Sequence, residues 1–321
     1  MLQILQVTFP FFALVACGYL AARARMLPLD AIGGLNTFVL FFALPCMLYR
    51  FGASTPIAQL LDPWALLVYL PCALVMVAGA VAFSLNARIR WNDAAFGALV
   101  AAFPNTGFMG VPLLVALLGA AAAGPAILTI LIDLVITTSL CIALSRLDTA
   151  GQHGAAAAAR RALRGVAANP MPWSIALGAL SSLTGFRPLQ PVGATIAMLA
   201  DAASPVALFT IGAVLARSQL LGAAQEHGPL PARDFVPMAV AKLVVHPLLV
   251  FAAGSLARAV GVPLDPFALV VMTLVAALPS ASNVSLLAER FAADTGRVAR
   301  IILVTTAAAF LTFSAAVALL R

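Results

Sequence analysis

Apolar residues run along this chain in blocks of about twenty, separated by short polar stretches. A block of that length is what an α-helix needs to cross ~30 Å of hydrocarbon at a rise of ~1.5 Å per residue. Ten blocks predict ten spans: Leu2 to Ala22, Ile32 to Tyr49, Trp64 to Ser84, Ala94 to Leu118, Pro125 to Ser145, Pro172 to Thr184, Pro191 to Leu215, Phe235 to Leu256, Pro266 to Ala288 and Val298 to Leu320. The sixth is short as drawn, and the ANPMPW stretch before it offers an earlier start. The expected fold class is therefore an all-α membrane protein of ten transmembrane helices.

Composition agrees with the pattern. Of 321 residues 63% are hydrophobic and 9% charged, with a mean hydropathy of +1.08, which leaves no room for a separate soluble domain. The first apolar block has its positive charges after it, at Arg23 and Arg25. A cleaved signal carries them before, so this block reads as a retained span. Cys17, Cys46, Cys72 and Cys141 lie inside apolar blocks without metal-type spacing and read as packing residues. The net charge of +7 is spread singly or in pairs over short loops, so nucleic acid is not an expected partner.

The basic residues do set an orientation. Arg23, Arg25, Arg88, Arg90, Arg146, Arg160, Arg161, Arg164, Arg217, Arg233, Arg290, Arg297 and Arg300 follow odd-numbered spans, against Arg50, Arg187, Arg258 and Arg321 on the other side. The rule that positive loops stay inside puts both termini outside and the linker GQHGAAAAARRALRG in the cytoplasm. That linker, 147–170, divides the chain into a first five-helix repeat, 1–146, and a second, 171–321. Five is odd, so the second half enters the membrane inverted.

The two halves share one interruption. VAAFPNTG from Val100 aligns with VAALPSAS from Val275, five positions of eight agreeing if Phe103 and Leu278 count as equivalent. Both prolines fall about 15 to 20 Å deep, near the midplane, approached from opposite faces. Lipid offers freed backbone groups no partner, so such breaks must be buried in protein or line a cavity. The expectation is that Pro104 and Pro279 each take the first position of a second half-helix. The two helix starts, each like roughly half a positive charge, then meet to hold an anionic group. Candidate binding residues are Asn105, Thr106, Gly107, Ser280, Ser282 and Asn283. Pro45, Pro112, Pro205 and Pro247 read as kinks.

Four ionisable residues also fall inside spans, where an isolated charge costs ~2.5–3.5 kcal/mol even on lenient scales. Asp133 or Asp201 could couple transport to a proton or cation, His246 could relay a proton, and Lys242 could offset the charge of an anion. The structural alternatives are a neutralised Asp201–Lys242 pair and a protonated Asp133 satisfied by a threonine or a carbonyl. No P-loop, GxGxxG, HExxH or GxSxG motif is present, so the chain is not read as an enzyme, and neither a cofactor nor a metal is expected.

The segment FPNTGFMGVPLL resembles the fourth-span motif of the auxin efflux carrier family, and the layout of the whole chain is similar to it. The resemblance implies ten spans, crossing broken helices 4 and 9 around the substrate, and an elevator movement against a scaffold containing spans 2 and 7. Bacterial members are often described as permeases for malonate, malate or similar acids. Carried over, Pro104 and Asn105 match the first crossing and Pro279 the second. This chain departs from the plant members in its short central loop and in lacking an acidic residue inside span 3. An inner-membrane secondary carrier of small organic anions is the leading expectation, with a proton or sodium ion as coupling partner and a homodimer left open. The alternatives are a coupled carrier of amphipathic anions, bile-acid or auxin-like, and a membrane sensor that binds without transport.

Overall fold

The computed structural model describes residues 2–56, 62–86, 88–147, 167, 169–224 and 231–320. The alanine-rich linker reading falls on residues outside these. Among the described residues every extended element is helical: α1 (Leu2–Arg23), α2 (Ala31–Ser54), α3 (Pro63–Ser84), α4 (Trp91–Ala102), α5 (Thr106–Leu118), α6 (Ala120–Leu144), α7 (Pro170–Thr184), α8 (Gln190–Ala224), α9 (Val236–Ala259), α10 (Pro266–Ala276), α11 (Val284–Arg290) and α12 (Thr295–Leu320). Seven of them, α1, α2, α3, α6, α8, α9 and α12, are long and apolar enough to cross a membrane. The helix expected over 94–118 is split into α4 and α5, and that over 266–288 into α10 and α11.

Three helices widen into a π-turn: α2 at Val39–Ala43, α5 at Thr106–Gly110 and α9 at Ala241–Val245. Each lies just ahead of a proline, Pro45, Pro112 or Pro247. The ring clashes with the carbonyl four residues back, which is the middle residue of each π-turn, and removes a donor; a wider turn relieves both. These prolines therefore loosen the helix locally, as the sequence leads one to expect. A fourth π-turn, Asp133–Thr137 in α6, has no proline behind it.

The chain forms two compact units. The first comprises Met1–Asp62, Thr106–Leu128 and Asn169–Glu226; the second comprises Pro63–Asn105, Thr129–Ala168 and His227–Arg321. Each draws on stretches from both sides of the central linker.

In the first unit α1 and α8 approach so closely that Gly18 lies on the backbone of Phe209, and Gly212 on the backbones of Val15 and Tyr19. Small residues permit this kind of contact between membrane helices. At one end of the pair Tyr19 donates to Gln219 Oε1 at 2.5 Å and accepts from Arg23 at 3.0 Å. The helices α2 and α7 are joined by Tyr49 and Ser181, whose hydroxyls lie 3.0 Å apart. Trp173, Leu177, Leu180 and Leu183 on α7 are all more than half exposed. An apolar stripe of that spacing turned outward suits a lipid surround.

In the second unit α3 packs on α4 and α9, and α12 closes one end through Arg297. The helix α12 starts at Thr295, ahead of the expected Val298. Arg297, counted above with the loop arginines, is therefore buried. It donates to the Asp234 carbonyl at 2.7 Å, the Asp93 carbonyl at 2.9 Å and Ser84 Oγ at 3.0 Å. Cys72 and Cys141 are buried in this unit as packing residues, whereas Cys17 is exposed on α1.

Gly212→Val would force a branched side chain into the Val15 backbone. The expected cost is about 1–3 kcal/mol, read as a lower thermal midpoint in detergent, while a Gly33→Val change, where an added Cβ meets no neighbouring atom within 4 Å, leaves the midpoint nearly unchanged.

Candidate functional site at the paired helix breaks

The second unit contains both interruptions. Phe103 precedes a proline, which disfavours the helical region, and it is extended, with φ −94° and ψ 106°. Residues 103–105 and 279–281 then run antiparallel, forming an isolated bridge between Pro104 and Ser280. The Asn105 amide donates to the Pro279 carbonyl at 2.8 Å and the Ala281 amide to the Phe103 carbonyl at 2.9 Å. Four backbone groups that lipid would leave unpaired are satisfied by one another. Pro104 occupies the pair that makes no backbone hydrogen bond, and Pro279 contributes its carbonyl, so neither missing N–H is needed.

This corrects the expected place of the prolines. Neither stands at the first position of a half-helix: α5 starts at Thr106 and α11 only at Val284. The reason is the cross-pairing itself, which holds both links extended and delays the return to helix. The amide of Val284 bonds the Ala281 carbonyl and that of Ser285 the Ser282 carbonyl, so the start of α11 is partly satisfied by its own turn.

Around the crossing the polar residues separate into satisfied and unsatisfied groups. The Ser280 amide donates to Thr305 Oγ1 of α12 at 3.2 Å. Its hydroxyl Oγ is buried without a hydrogen-bond partner among the described residues, and so is Asn283 Oδ1. Asn105 and Ser282 are buried, and the Ser282 carbonyl accepts from the Ser285 hydroxyl at 2.7 Å. Thr106 and Gly107 belong to the first unit, where Thr106 is fully buried and Gly107 half-buried.

Beside the crossing lies a cluster of ionisable groups: Tyr69 of α3, Asp133 of α6, and Lys242 and His246 of α9, each with no exposed surface. Tyr69 donates to Asp133 Oδ2 at 3.0 Å and Thr137 to Asp133 Oδ1 at 3.1 Å. The Thr138 hydroxyl donates to the Asp133 carbonyl at 2.7 Å, five residues back, which accounts for the π-turn there without a proline. Lys242 Nζ donates at 2.5 Å to the carbonyl of Ala276, the last residue of α10, and lies 3.4 Å from His246 Nδ1. A cation at a helix C-terminus meets the negative end of its dipole. With Lys242 as an ammonium, which has only donors to offer, His246 Nδ1 accepts and the neutral ring carries its proton on Nε2; that buried atom has no hydrogen-bond partner among the described residues.

Among the described residues the alternative of an Asp201–Lys242 ion pair is not borne out. Asp201 lies in the first unit, where it takes Arg50 at 2.6 Å with both side chains substantially exposed. Both Asp201 and Lys242 fall inside apolar blocks of the sequence, but that does not say which helices are neighbours. Asp133 does find a threonine, as one alternative had it. Sequence reading missed Tyr69 and Thr305. A tyrosine in mid-span was the available signal, because a buried phenol needs a partner.

Comparison with known proteins gives the family of the chain. The membrane transport protein family matches residues 3–317. A Rhizobium meliloti (strain 1021) protein named "Putative malonate transporter" is 31% identical over 324 residues, spanning 100% of this chain and 97% of that protein. An Escherichia coli (strain K12) protein named "Uncharacterized transporter YfdV" is 25% identical over 288 residues, spanning 88% of this chain and 86% of that one. The chain belongs to the auxin efflux carrier family of membrane transport proteins. Membership makes it a multi-pass membrane transporter, in keeping with its long apolar helices. The segment FPNTGFMGVPLL begins at the crossing itself, on the residue whose carbonyl accepts from Ala281.

In this family member Tyr69→Phe leaves Asp133 with one hydroxyl donor fewer. A hydrogen bond to a charged group is worth about 1.5–3 kcal/mol, so the thermal midpoint in detergent is expected to fall measurably; an unchanged midpoint would show that the bond contributes nothing.

Proposed function

We propose that the protein is a secondary carrier of small organic anions, mono- or dicarboxylates such as malonate, and that the paired breaks frame its substrate site. The observation that carries this reading is the crossing with its buried, unpartnered Ser280 Oγ and Asn283 Oδ1, next to a fully buried lysine. Unpaired polar atoms in an apolar interior cost about 1–3 kcal/mol each, a cost that binding a carboxylate at Ser280 and a polar group at Asn283 would offset. Asn105 and Ser282 complete the polar lining, and Lys242 adds a positive charge held at the end of α10, three residues before Pro279. Family membership and the name of the Rhizobium meliloti relative support a carboxylate as cargo.

The remaining architecture belongs to the same reading. The chain forms ten spans in two inverted repeats, 1–146 and 171–321, lies in the inner membrane with both termini outside, and works by alternating access of the elevator type. The alignment of Pro104 with Pro279 supports the inversion: it carries the facing pair Pro104 and Ser280 onto Asn105 and Pro279, which also face each other. A two-fold relation requires that exchange.

Purified protein in vesicles preloaded with malonate should show saturable counterflow of labelled malonate, inhibited by other small dicarboxylates more than by aromatic or steroid acids. Ser280→Ala removes an unpartnered hydroxyl, so folding stability should hold or rise. Half-saturation should nevertheless rise about tenfold, corresponding to ~1.4 kcal/mol of lost binding. Asn105→Ala should impair counterflow in the same assay. Stable variants with unaltered counterflow would remove these residues from the site.

A further inference from the structure

The anion site leaves Asp133 unused, and the chemistry of its surroundings has a direction. An Asp133 paired directly with Lys242 would be a fixed structural element, yet among the described residues no ion pair within 4.0 Å joins them. The carboxylate is held instead by two hydroxyls, Tyr69 on one oxygen and Thr137 on the other. A hydroxyl both donates and accepts. The same two partners therefore satisfy an ionised Asp133, by donating to it, and a protonated one, by one of them accepting. An arginine or lysine partner would tolerate the ionised form alone.

Lys242 is similarly held by neutral groups, the Ala276 carbonyl and the His246 ring. Tyr69, which donates to Asp133, has its ring centroid 6.0 Å from that of His246, which in turn lies 3.4 Å from Lys242 Nζ, so the ionised acid and the ammonium share one buried cluster and offset each other. The other titratable groups facing this pair are Tyr69 and Cys72 from α3, His246 from α9 and Cys141 from α6 itself. The acid of α4, Asp93, is turned to Asp294 and Arg297 instead. The α10 side contributes the Ala276 carbonyl, at the root of the link that carries Ser280.

We propose that Asp133 is the coupling site of this carrier, taking up one proton for each anion held at the crossing. The inference rests on the anion-carrier reading above. With Asp133 ionised the cluster is neutral, because aspartate and lysine offset each other. Proton transfer from hydronium to the carboxylate gives the carboxylic acid and water, and leaves the Lys242 charge uncompensated in a low-dielectric interior. That net positive charge, fixed beside the crossing, favours the anion. Release reverses both steps, the acid returning its proton to water as the anion departs. The site differs from an acidic residue on span 3: here span 3 supplies the phenol and α6 the acid.

The test uses the full chain in vesicles with a pH-sensitive dye inside, malonate outside, and an outer pH at which malonate is fully ionised. The expected result is acidification of the lumen in step with malonate entry, one proton per malonate, and faster uptake under an inward proton gradient. Asp133→Asn should abolish both the acidification and the gradient response, and Asp133→Glu should restore them. Net uptake of malonate into empty vesicles without proton entry in the wild type would overturn the coupling and leave the anion-carrier reading standing. Absence of counterflow for malonate would overturn both. Uptake driven by a sodium gradient without acidification, or acidification that persists in Asp133→Asn, would overturn the assignment. Should Asp133→Asn fail to fold, the wild-type ratio of protons to malonate decides.

Discussion

The structure depends on a requirement that a membrane interior imposes without exception: a backbone amide or carbonyl released from a helix there must find another partner. Here two released segments meet that requirement through each other. The bonds from Asn105 to Pro279 and from Ala281 to Phe103 form a minimal antiparallel ladder, and its geometry has consequences on every side. It holds both links extended, sets where α5 and α11 begin, and accommodates proline at positions where no N–H is called for. It also fixes Ser280 with its amide bonded to Thr305 and its hydroxyl left over.

Next to the ladder, the broken helix α10 ends in carbonyls that would otherwise be exposed to an apolar interior. Lys242 answers one of them directly. A lysine there brings a charge, and the charge brings the acid on α6 within the same interior, solvated by Tyr69 and Thr137. The buried ionisable groups thus follow from the break: the crossing exposes a helix end, the helix end favours a cation, and the cation favours a counter-charge. The π-turns that carry Lys242 and Asp133 have separate local causes, Pro247 in the first case and the Thr138 hydroxyl in the second.

Much of this was legible along the chain. The long apolar helices, the two interruptions at Pro104 and Pro279, and the intramembrane Asp133, Lys242 and His246 stand out because each violates the composition around it. The π-turns before Pro45, Pro112 and Pro247 are also local effects of one residue type. What sequence misplaced are relations between helices. Asp201 falls inside an apolar block as Lys242 does, yet it pairs with Arg50, because position along a helix does not select a neighbour. Arg297 has the look of a loop charge counted for orientation, yet it is buried against three partners from distant segments.

The sequence by itself determined that this is an all-helical membrane protein with two broken helices and a few charges that need a reason. Hydrophobic length and proline chemistry act within one segment, so they can be read from one segment. Tertiary structure alone decided that the two breaks pair as a ladder and do not begin as helix starts, that Asp133 is held by a phenol from α3, and that Lys242 caps α10. Each of those is a hydrogen bond between residues at least 34 positions apart, and no local pattern specifies which distant donor a buried acceptor will meet.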